Sequence, residues 1–136
     1  MIDIRRYAGF FHDGSIIDIQ HCGNQMIISM ESAEVDEDDI NDVSILAKDD
    51  RIRGKLHLEE IKAININTEN FLQTLKKIGD EGDIFNFEVN ENFIILDIEW
   101  INFPPNPKIN EFSTLKIEAE NIWWENIPHL EDFNDI

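Results

Sequence analysis

The sequence is poor in positive charge and in cysteine, and it contains no long apolar run. Only 11 of its 136 residues are lysine or arginine, against 29 aspartate and glutamate, so the formal net charge is −18. Nucleic acid and anionic membranes would repel such a chain, and neither is an expected partner. Cys22 alone cannot form an internal disulfide, and no apolar run approaches the roughly 18 to 20 residues of a membrane span. Because the first residues also lack the apolar stretch of a signal peptide, a cytoplasmic location is expected.

Enough apolar sequence is present to build one folded domain. Apolar residues make up 42% of the chain and include nine phenylalanines and three tryptophans. A chain of this length can bury roughly two-thirds of its unfolded surface. No repeat divides it, so residues 1–136 are expected to form a single domain. Residues 36–42 are expected to be a solvated acidic loop, and residues 128–136 an acidic C-terminal tail.

Apolar residues recur mainly at every second position, which is typical of strands with one buried side. The pattern predicts about seven short strands. The first two, over residues 15–22 and 25–34, are joined by a hairpin turn at Gly23 and Asn24. A bulge or turn is expected near residues 59–60, where the alternation changes phase.

One helix is predicted over residues 69–78. Thr68 is a suitable N-cap, and a glycine comes directly after the segment. The apolar residues between them recur at spacings of one, three and four: Phe71, Leu72, Leu75 and Ile78. The predicted fold class is therefore mainly β, of the α+β type. It is a single-domain antiparallel β-sandwich or partly open barrel with one helix near residues 69–78.

Two motifs suggest metal chemistry, but neither has ligand spacing. His12 and Asp13 form a pair found in metal-dependent hydrolases, yet the other three histidines do not complete a ligand set. We interpret the pair as a turn in which Gly14 supplies the unusual dihedral. The acidic run at 36–42 does not match the oxygen positions of a helix-loop-helix calcium site. Cys22 is expected to be a buried structural thiol. Taken together, these motifs predict no metal site, no cofactor and no catalytic residue.

Asp97 and Glu99 offer one further catalytic possibility. They lie on one face of a predicted strand about 7 Å apart, a separation compatible with glycosidic chemistry. In a chain so rich in acids, we expect them instead to face Arg51, Arg53 or Lys55 on another strand. The protein is therefore predicted not to be an enzyme.

Three tryptophans could provide a platform on which sugars stack. Trp123 and Trp124 are adjacent, so on a strand they point to opposite sides, one into the core and one outward. A small-ligand or carbohydrate-binding β-sandwich that uses Trp100 or Trp124 is the alternative function.

Negative charge is the strongest functional signal. Residues 80–136 contain 14 acidic residues against only Lys108 and Lys116. A field of one sign steers a partner of opposite sign and speeds association. The leading hypothesis is a non-enzymatic acidic protein-binding domain whose partner is a basic protein. The candidate contacts combine charge with one aromatic ring: Glu111, Glu118, Glu120, Trp124, Glu125, Glu131 and Asp132.

Two short segments carry a family resemblance. The sequence FFHDGS at residues 10–15 leads straight into an alternating strand, and WWE at residues 123–125 lies near the end. Together with the acidic bias and the small β-rich build, they resemble small uncharacterised families of acidic bacterial proteins, some of which are immunity proteins of polymorphic toxin systems. The resemblance implies a cytoplasmic antidote, an inhibitor that covers the active site of a basic toxin with acidic side chains. It carries over no functional residues, because these families share no common site pattern.

Overall fold

The computed structural model describes residues 2–129, and strands dominate their regular structure. The seven strands are β1 (Ser15–Cys22), β2 (Gln25–Glu31), β3 (Arg53–Ile66), β4 (Glu69–Asn70), β5 (Glu81–Val89), β6 (Phe93–Ile101) and β7 (Glu111–Asn126). Helical structure in this part of the chain is limited to four short 3₁₀ turns, at Ile4–Arg6, Ala8–Phe11, Glu37–Asp39 and Val43–Ile45. None of the helices described is long and apolar enough to cross a membrane. The predicted mainly β fold class is confirmed.

Six of the strands close into a ring. Their order is β2-β1-β5-β6-β7-β3, every neighbouring pair is antiparallel, and β2 also pairs with β3. The short strand β4 lies farther along β3, on the edge that β2 also uses. This arrangement is a small antiparallel barrel that remains partly open at one seam.

The seam lies between β1 and β5, which share only two residue pairs. The chain before β1 extends it, because the backbone N–H of Asp13 donates to the carbonyl of Ile84 at 2.9 Å. Phe11 then packs edge-on against Phe87, with ring centroids 5.4 Å apart. The N-terminal 3₁₀ turns therefore cover the part of β5 that would otherwise be an exposed strand edge.

The hairpin predicted at the start of the chain is confirmed. β1 ends at Cys22, β2 begins at Gln25, and Gly23 in the turn has a φ of 61°. Glycine adopts this conformation without steric strain, and such turns match the twist of paired strands. β2 ends at Glu31 and not at residue 34 as predicted.

Two tryptophans fill the interior of the ring, each against a glycine of a neighbouring strand. Trp124 is 1% exposed and Trp100 is 2% exposed. A Cβ atom on Gly54 would lie 2.9 Å from the Trp124 ring, and one on Gly82 would lie 3.1 Å from the Trp100 ring. The absence of side chains at these two positions leaves the space that the indoles occupy.

The helix predicted over residues 69–78 is wrong. Asn67 and Thr68 both have positive φ values, 52° and 72°, and form a tight turn. This turn sends Glu69–Asn70 back along β3 as strand β4. Thr68 therefore belongs to a hairpin turn and caps no helix, because positive φ at both central residues is the geometry of a two-residue hairpin.

The rest of that segment, residues 71–80, is irregular and is anchored to β1. The backbone N–H of Leu75 donates to Nδ1 of His21 at 2.8 Å. Leu75 is buried, whereas Leu72 is 92% exposed. The apolar residues that suggested a helix therefore do not share one face, and tertiary contacts override a weak helix propensity.

The acidic loop at 36–42 lies on the surface and contains the 3₁₀ turn Glu37–Asp39. Asp36 caps this turn by accepting a hydrogen bond from the backbone N–H of Asp38 at 3.0 Å. Ile40 is the buried member of the loop. Most of the predicted C-terminal tail, residues 130–136, lies outside the described residues.

Candidate functional site

Four of the predicted contact residues lie along β7 and are exposed: Glu111, Glu118, Glu120 and Glu125. They do not form one compact surface. Glu111 is opposite Trp100 at one end of the strand, and Glu125 is opposite Lys55 at the other. At about 3.3 Å per residue, those two ends are roughly 45 Å apart along the strand. Glu131 and Asp132 lie outside the described residues.

Trp124 does not provide the exposed ring that was predicted for it. Its indole is buried against Phe11, with ring centroids 5.5 Å apart, and its Nε1 donates to Oδ1 of Asn126. The partly exposed neighbour is Trp123, which stacks on His57 with ring centroids 3.9 Å apart and an angle of 8° between the planes. Because Trp100 is buried as well, neither tryptophan named for carbohydrate stacking is accessible.

Six carboxylates share the outward side of β5, β6 and β7, which we call the acidic face. They are Glu81, Asp83 and Glu88 on β5, Asp97 and Glu99 on β6, and Glu118 on β7. Glu81 has a basic neighbour, since the charge of Arg51 acts to lower its pKa, although burial and Asp83 outweigh this effect. The one basic residue in these three strands is Lys116, whose Nζ lies 5.1 Å from the centre of the Phe93 ring. Positive charge near the acidic face is therefore sparse among the described residues.

Crowding and burial perturb two carboxyls of the acidic face. Burial raises the pKa of Glu81, and the negative charge of neighbouring Asp83 raises it further. Burial also raises the pKa of Asp83, with a contribution from the charge of Asp13. Both carboxyls are therefore less stable in the charged form than they would be in water, and a positive charge brought nearby would relieve this cost.

Two exposed phenylalanines lie within the acidic face. Phe85 is 45% exposed, Phe112 is 56% exposed, and their ring centroids are 6.2 Å apart. The pairing register of β5 shifts at Phe85, and such a bulge changes the direction of a side chain. The rings flank a shallow cavity of about 260 Å³ that includes Asp97, whose Oδ1 accepts a hydrogen bond from the Thr114 hydroxyl at 2.7 Å.

Asp97 and Glu99 do not face the basic residues of the 51–55 segment, contrary to the prediction. β6 lies between β5 and β7, so β3 is two positions away in the sheet. Arg53 instead donates to Oε2 of Glu31 at 2.9 Å and to Oδ2 of Asp49 at 2.7 Å. Strand order therefore separates this cation from the acidic face.

A second acidic feature lies at the end of the barrel where β5 turns into β6, and we call it the acidic cleft. It has a volume of about 600 Å³ and lies between the first 3₁₀ turn, the β5–β6 hairpin and the second half of β7. Its carboxylates belong to Asp3, Glu59, Glu91 and Glu120, and its one described cation is Arg5. Trp123 and one predicted contact, Glu120, are among its lining residues.

The motifs considered for metal or nucleophilic chemistry form no such centre. His12 and Asp13 are exposed and 3.8 Å apart, and residues 2–129 contain no group of three or more side chains that could hold a metal ion. The predicted turn is present at His12 and Asp13, but the unusual dihedral, a φ of 67°, belongs to Asp13 and not to Gly14 as predicted. Cys22 is exposed, so the buried thiol expected at this position is also wrong.

Comparisons with protein-family models, with curated proteins and with solved structures found no match for this chain.

Proposed function

We propose that this protein is a non-enzymatic binding domain of the inhibitor type, which docks on a basic protein through its acidic face. The observation that carries the proposal is the exposed pair Phe85 and Phe112 within a group of six carboxylates, on three strands whose one basic residue is Lys116. Protein interfaces typically combine a few large aromatic anchors with a polar, charged rim. The acidic face has both parts on one rigid sheet.

Electrostatics supports a basic partner and not a neutral one. Raised pKa values at Glu81 and Asp83 indicate that negative charge on the acidic face is crowded and partly desolvated. Lysine or arginine side chains of a partner would stabilise those charged carboxylates and steer the encounter. The resemblance to immunity proteins of toxin systems points to the same type of partner. A cytoplasmic location fits such an inhibitor.

Affinity capture from the source cells followed by association kinetics tests this function. The test variant neutralises four acids of the acidic face, Asp83→Asn, Glu88→Gln, Glu99→Gln and Glu118→Gln. The control neutralises four exposed acids near the acidic loop, Glu34→Gln, Glu37→Gln, Asp38→Asn and Asp39→Asn. Both variants carry the same net charge, so they separate local from overall electrostatics.

The captured basic protein should associate roughly tenfold more slowly with the acidic-face variant, and the dependence of its association rate on salt should flatten. The control variant should associate at close to the wild-type rate. Equal losses in the two variants, or no loss in either, would contradict a docking role for the acidic face.

A further inference from the structure

We propose that protonation of the His21 ring releases residues 71–80, which we call the strap, from the edge of β1. The ring makes two hydrogen bonds of opposite type. Its Nδ1 accepts from the backbone N–H of Leu75 at 2.8 Å, and its Nε2 lies 2.9 Å from the carbonyl oxygen of Gly23. Because a carbonyl oxygen only accepts, Nε2 carries the proton and Nδ1 carries none, so the ring is neutral.

A second proton on this ring removes the acceptor that holds the strap. Both ring nitrogens of a charged histidine are donors, so an N–H at Nδ1 of His21 would point at the N–H of Leu75. The Leu75 N–H would then be a donor without an acceptor, in a residue that is 5% exposed. A buried donor without a partner costs free energy, and movement of the strap into water restores its hydrogen bond.

The strap covers a strand edge of the barrel. It directly precedes β5, whose Gly82 pairs antiparallel with Ile16 near the start of β1. The strap therefore continues along β1 beyond the point at which β5 begins. Between residues 18 and 22, β1 has a strand partner on its β2 side alone, in the part of the chain that the structure describes. Release of the strap would uncover this edge and the core position that Leu75 fills.

The two ends of the strap are fixed by groups whose charge does not change near neutral pH. At the first end, the backbone N–H of Phe71 donates to a carbonyl of β3 at 2.8 Å. At the other end, Asp80 accepts from the backbone N–H of Phe103 at 2.8 Å and from the side-chain amide of Asn106 at 2.9 Å. The hydrogen bond from Asn106 holds the pKa of Asp80 below its usual range, so this carboxylate stays charged. Histidine is the side chain that ordinarily changes charge between about pH 5 and 8, so His21 is the contact of the strap that responds to acid.

The charged groups around His21 favour release once the ring is positive. Lys62 of β3 is the one charged side chain among the described residues that line the cavity beside the ring, so no carboxylate lies among them. Lys76 and Lys77 follow in the strap directly after the residue that bonds the ring, and β2 places the neutral Met26 opposite His21. Two titratable residues of β1 are an odd number of positions away and lie on the other side of the sheet: Asp18 and Cys22. A charge on the ring would therefore be added to a region that already contains lysines of β3 and of the strap.

Nuclear magnetic resonance of the ¹⁵N-labelled wild type between about pH 7.5 and about pH 5 tests the proposal. The first measurement is the hydrogen-exchange protection factor of the Leu75 amide, which corrects for the pH dependence of exchange itself. We expect this factor to fall roughly tenfold at the lower pH, the usual effect of losing one buried hydrogen bond. The amide signals of the strap should move with the same midpoint as the carbon-bound ring protons of His21. Core amides such as that of Leu96 on β6 should keep their protection, because the barrel stays folded.

Two substitutions of the same residue separate the acceptor from the titration. His21→Asn places Oδ1 as many bonds from the backbone as Nδ1, and this oxygen accepts a hydrogen bond but takes up no proton. Protection of the Leu75 amide should therefore be high at both pH values. His21→Ala has no acceptor, and protection should be roughly tenfold below that of the wild type at the higher pH.

The control is a substitution of a second partly exposed histidine, His57→Asn. The Nε2 atom of His57 pairs with Glu125 at 2.8 Å, on the opposite edge of β3 from β2. This variant should keep the wild-type response of Leu75 to pH. Thermal unfolding of each variant shows whether it is folded, and the wild-type titration decides the question by itself if a variant does not fold.

Four outcomes would overturn the inference. The first two are titration of the His21 ring without a change at Leu75, and equal losses of protection at Leu75 and Leu96. The other two are a wild-type response to pH in His21→Asn, and full protection of Leu75 in His21→Ala. None of these measurements involves a binding partner, so their results are independent of the capture experiment on the acidic face.

Discussion

Two regions of the barrel contain several carboxylates but differ in how these carboxylates are paired with positive charge. At the junction of β2 and β3, the nearly buried guanidinium of Arg53 binds Glu31 and Asp49. On the acidic face, two carboxylates, those of Asp83 and Glu99, lie directly opposite each other on neighbouring strands. The first arrangement stabilises the folded chain by itself. The second costs folding free energy, because burial and nearby negative charge disfavour the charged forms of Glu81 and Asp83.

The largest difference between the two regions should appear when Arg53 is removed. Arg53→Ala leaves two carboxylates without their shared cation, and we expect it to lower the free energy of unfolding by about 3 kcal/mol. Urea unfolding measures this change. The control is Arg5→Ala, which also removes an arginine bound to two carboxylates, but at an exposed position where solvent screens the pairs, so its cost should be much smaller. Equal losses would show that Arg53 is no more important than a surface ion pair.

Neutralising Glu81 and Asp83 should raise the free energy of unfolding, which is the opposite of the effect of Arg53→Ala, and the change should be smaller. The double variant Glu81→Gln with Asp83→Asn should raise the free energy of unfolding at pH 7 by a few tenths of a kcal/mol, since both carboxyls are only partly buried and solvent still screens their charges. Both carboxyls have raised pKa values in the folded state. The wild type therefore regains stability as the pH falls through those raised values toward the ordinary carboxyl pKa near about 4.

Urea unfolding of wild type and double variant between pH 7 and pH 4 checks this prediction. The advantage of the double variant should shrink steadily over that range. An advantage that is independent of pH would mean that the substitutions act through packing and not through charge.

Removing an aromatic ring from the acidic face should have the smallest effect on stability. Phe112→Ala changes a side chain that is 56% exposed, so its free energy of unfolding should stay within about 0.5 kcal/mol of the wild type. The matched control is Phe87→Ala on β5, where a 5% exposed ring is lost and about 3 to 5 kcal/mol is expected. A large cost at Phe112 would mean that its ring supports the fold and is not held free for a partner.

Local patterns predicted those elements whose residues are close in sequence. The first hairpin follows from period-two alternation on both sides of Gly23 and Asn24. β6 follows from the regular burial of Ile94, Leu96 and Ile98. The helix prediction over residues 69–78 is wrong because helical spacing is a local pattern. The conformation of this segment depends instead on pairing with β3 and on contact with β1.

No local sequence pattern shows which of Trp123 and Trp124 is buried. On β7, Ala119 and Trp124 are both buried, although an odd number of positions separates them. A single alternation of buried and exposed residues therefore cannot describe the whole strand. The partner strand β3 makes the same change near Glu60, which has a φ of 53°. The phase change near residues 59–60 was visible in the sequence, but its effect on β7 depends on which strands are neighbours.

The acidic face and its aromatic pair could be predicted only with knowledge of the strand order. Phe85 and Phe112 are on β5 and β7, and they meet across β6 because of a bulge and a register that no single segment encodes. The charge excess in residues 80–136 predicted an acidic surface, although not which acids would find a basic partner. That distinction depends on the position of β3 relative to β6.

Closure of the ring by β7 has a consequence for how the chain folds. β7 is inserted between β6 and β3, and Gly54 pairs with Asn126, more than 70 positions later in the chain. Contacts between such distant residues make folding slow, and during synthesis β3 must wait for this partner to leave the ribosome. Until then the apolar sides of β3 and β6 remain accessible, so the nascent chain passes through a stage at which chaperones can bind it.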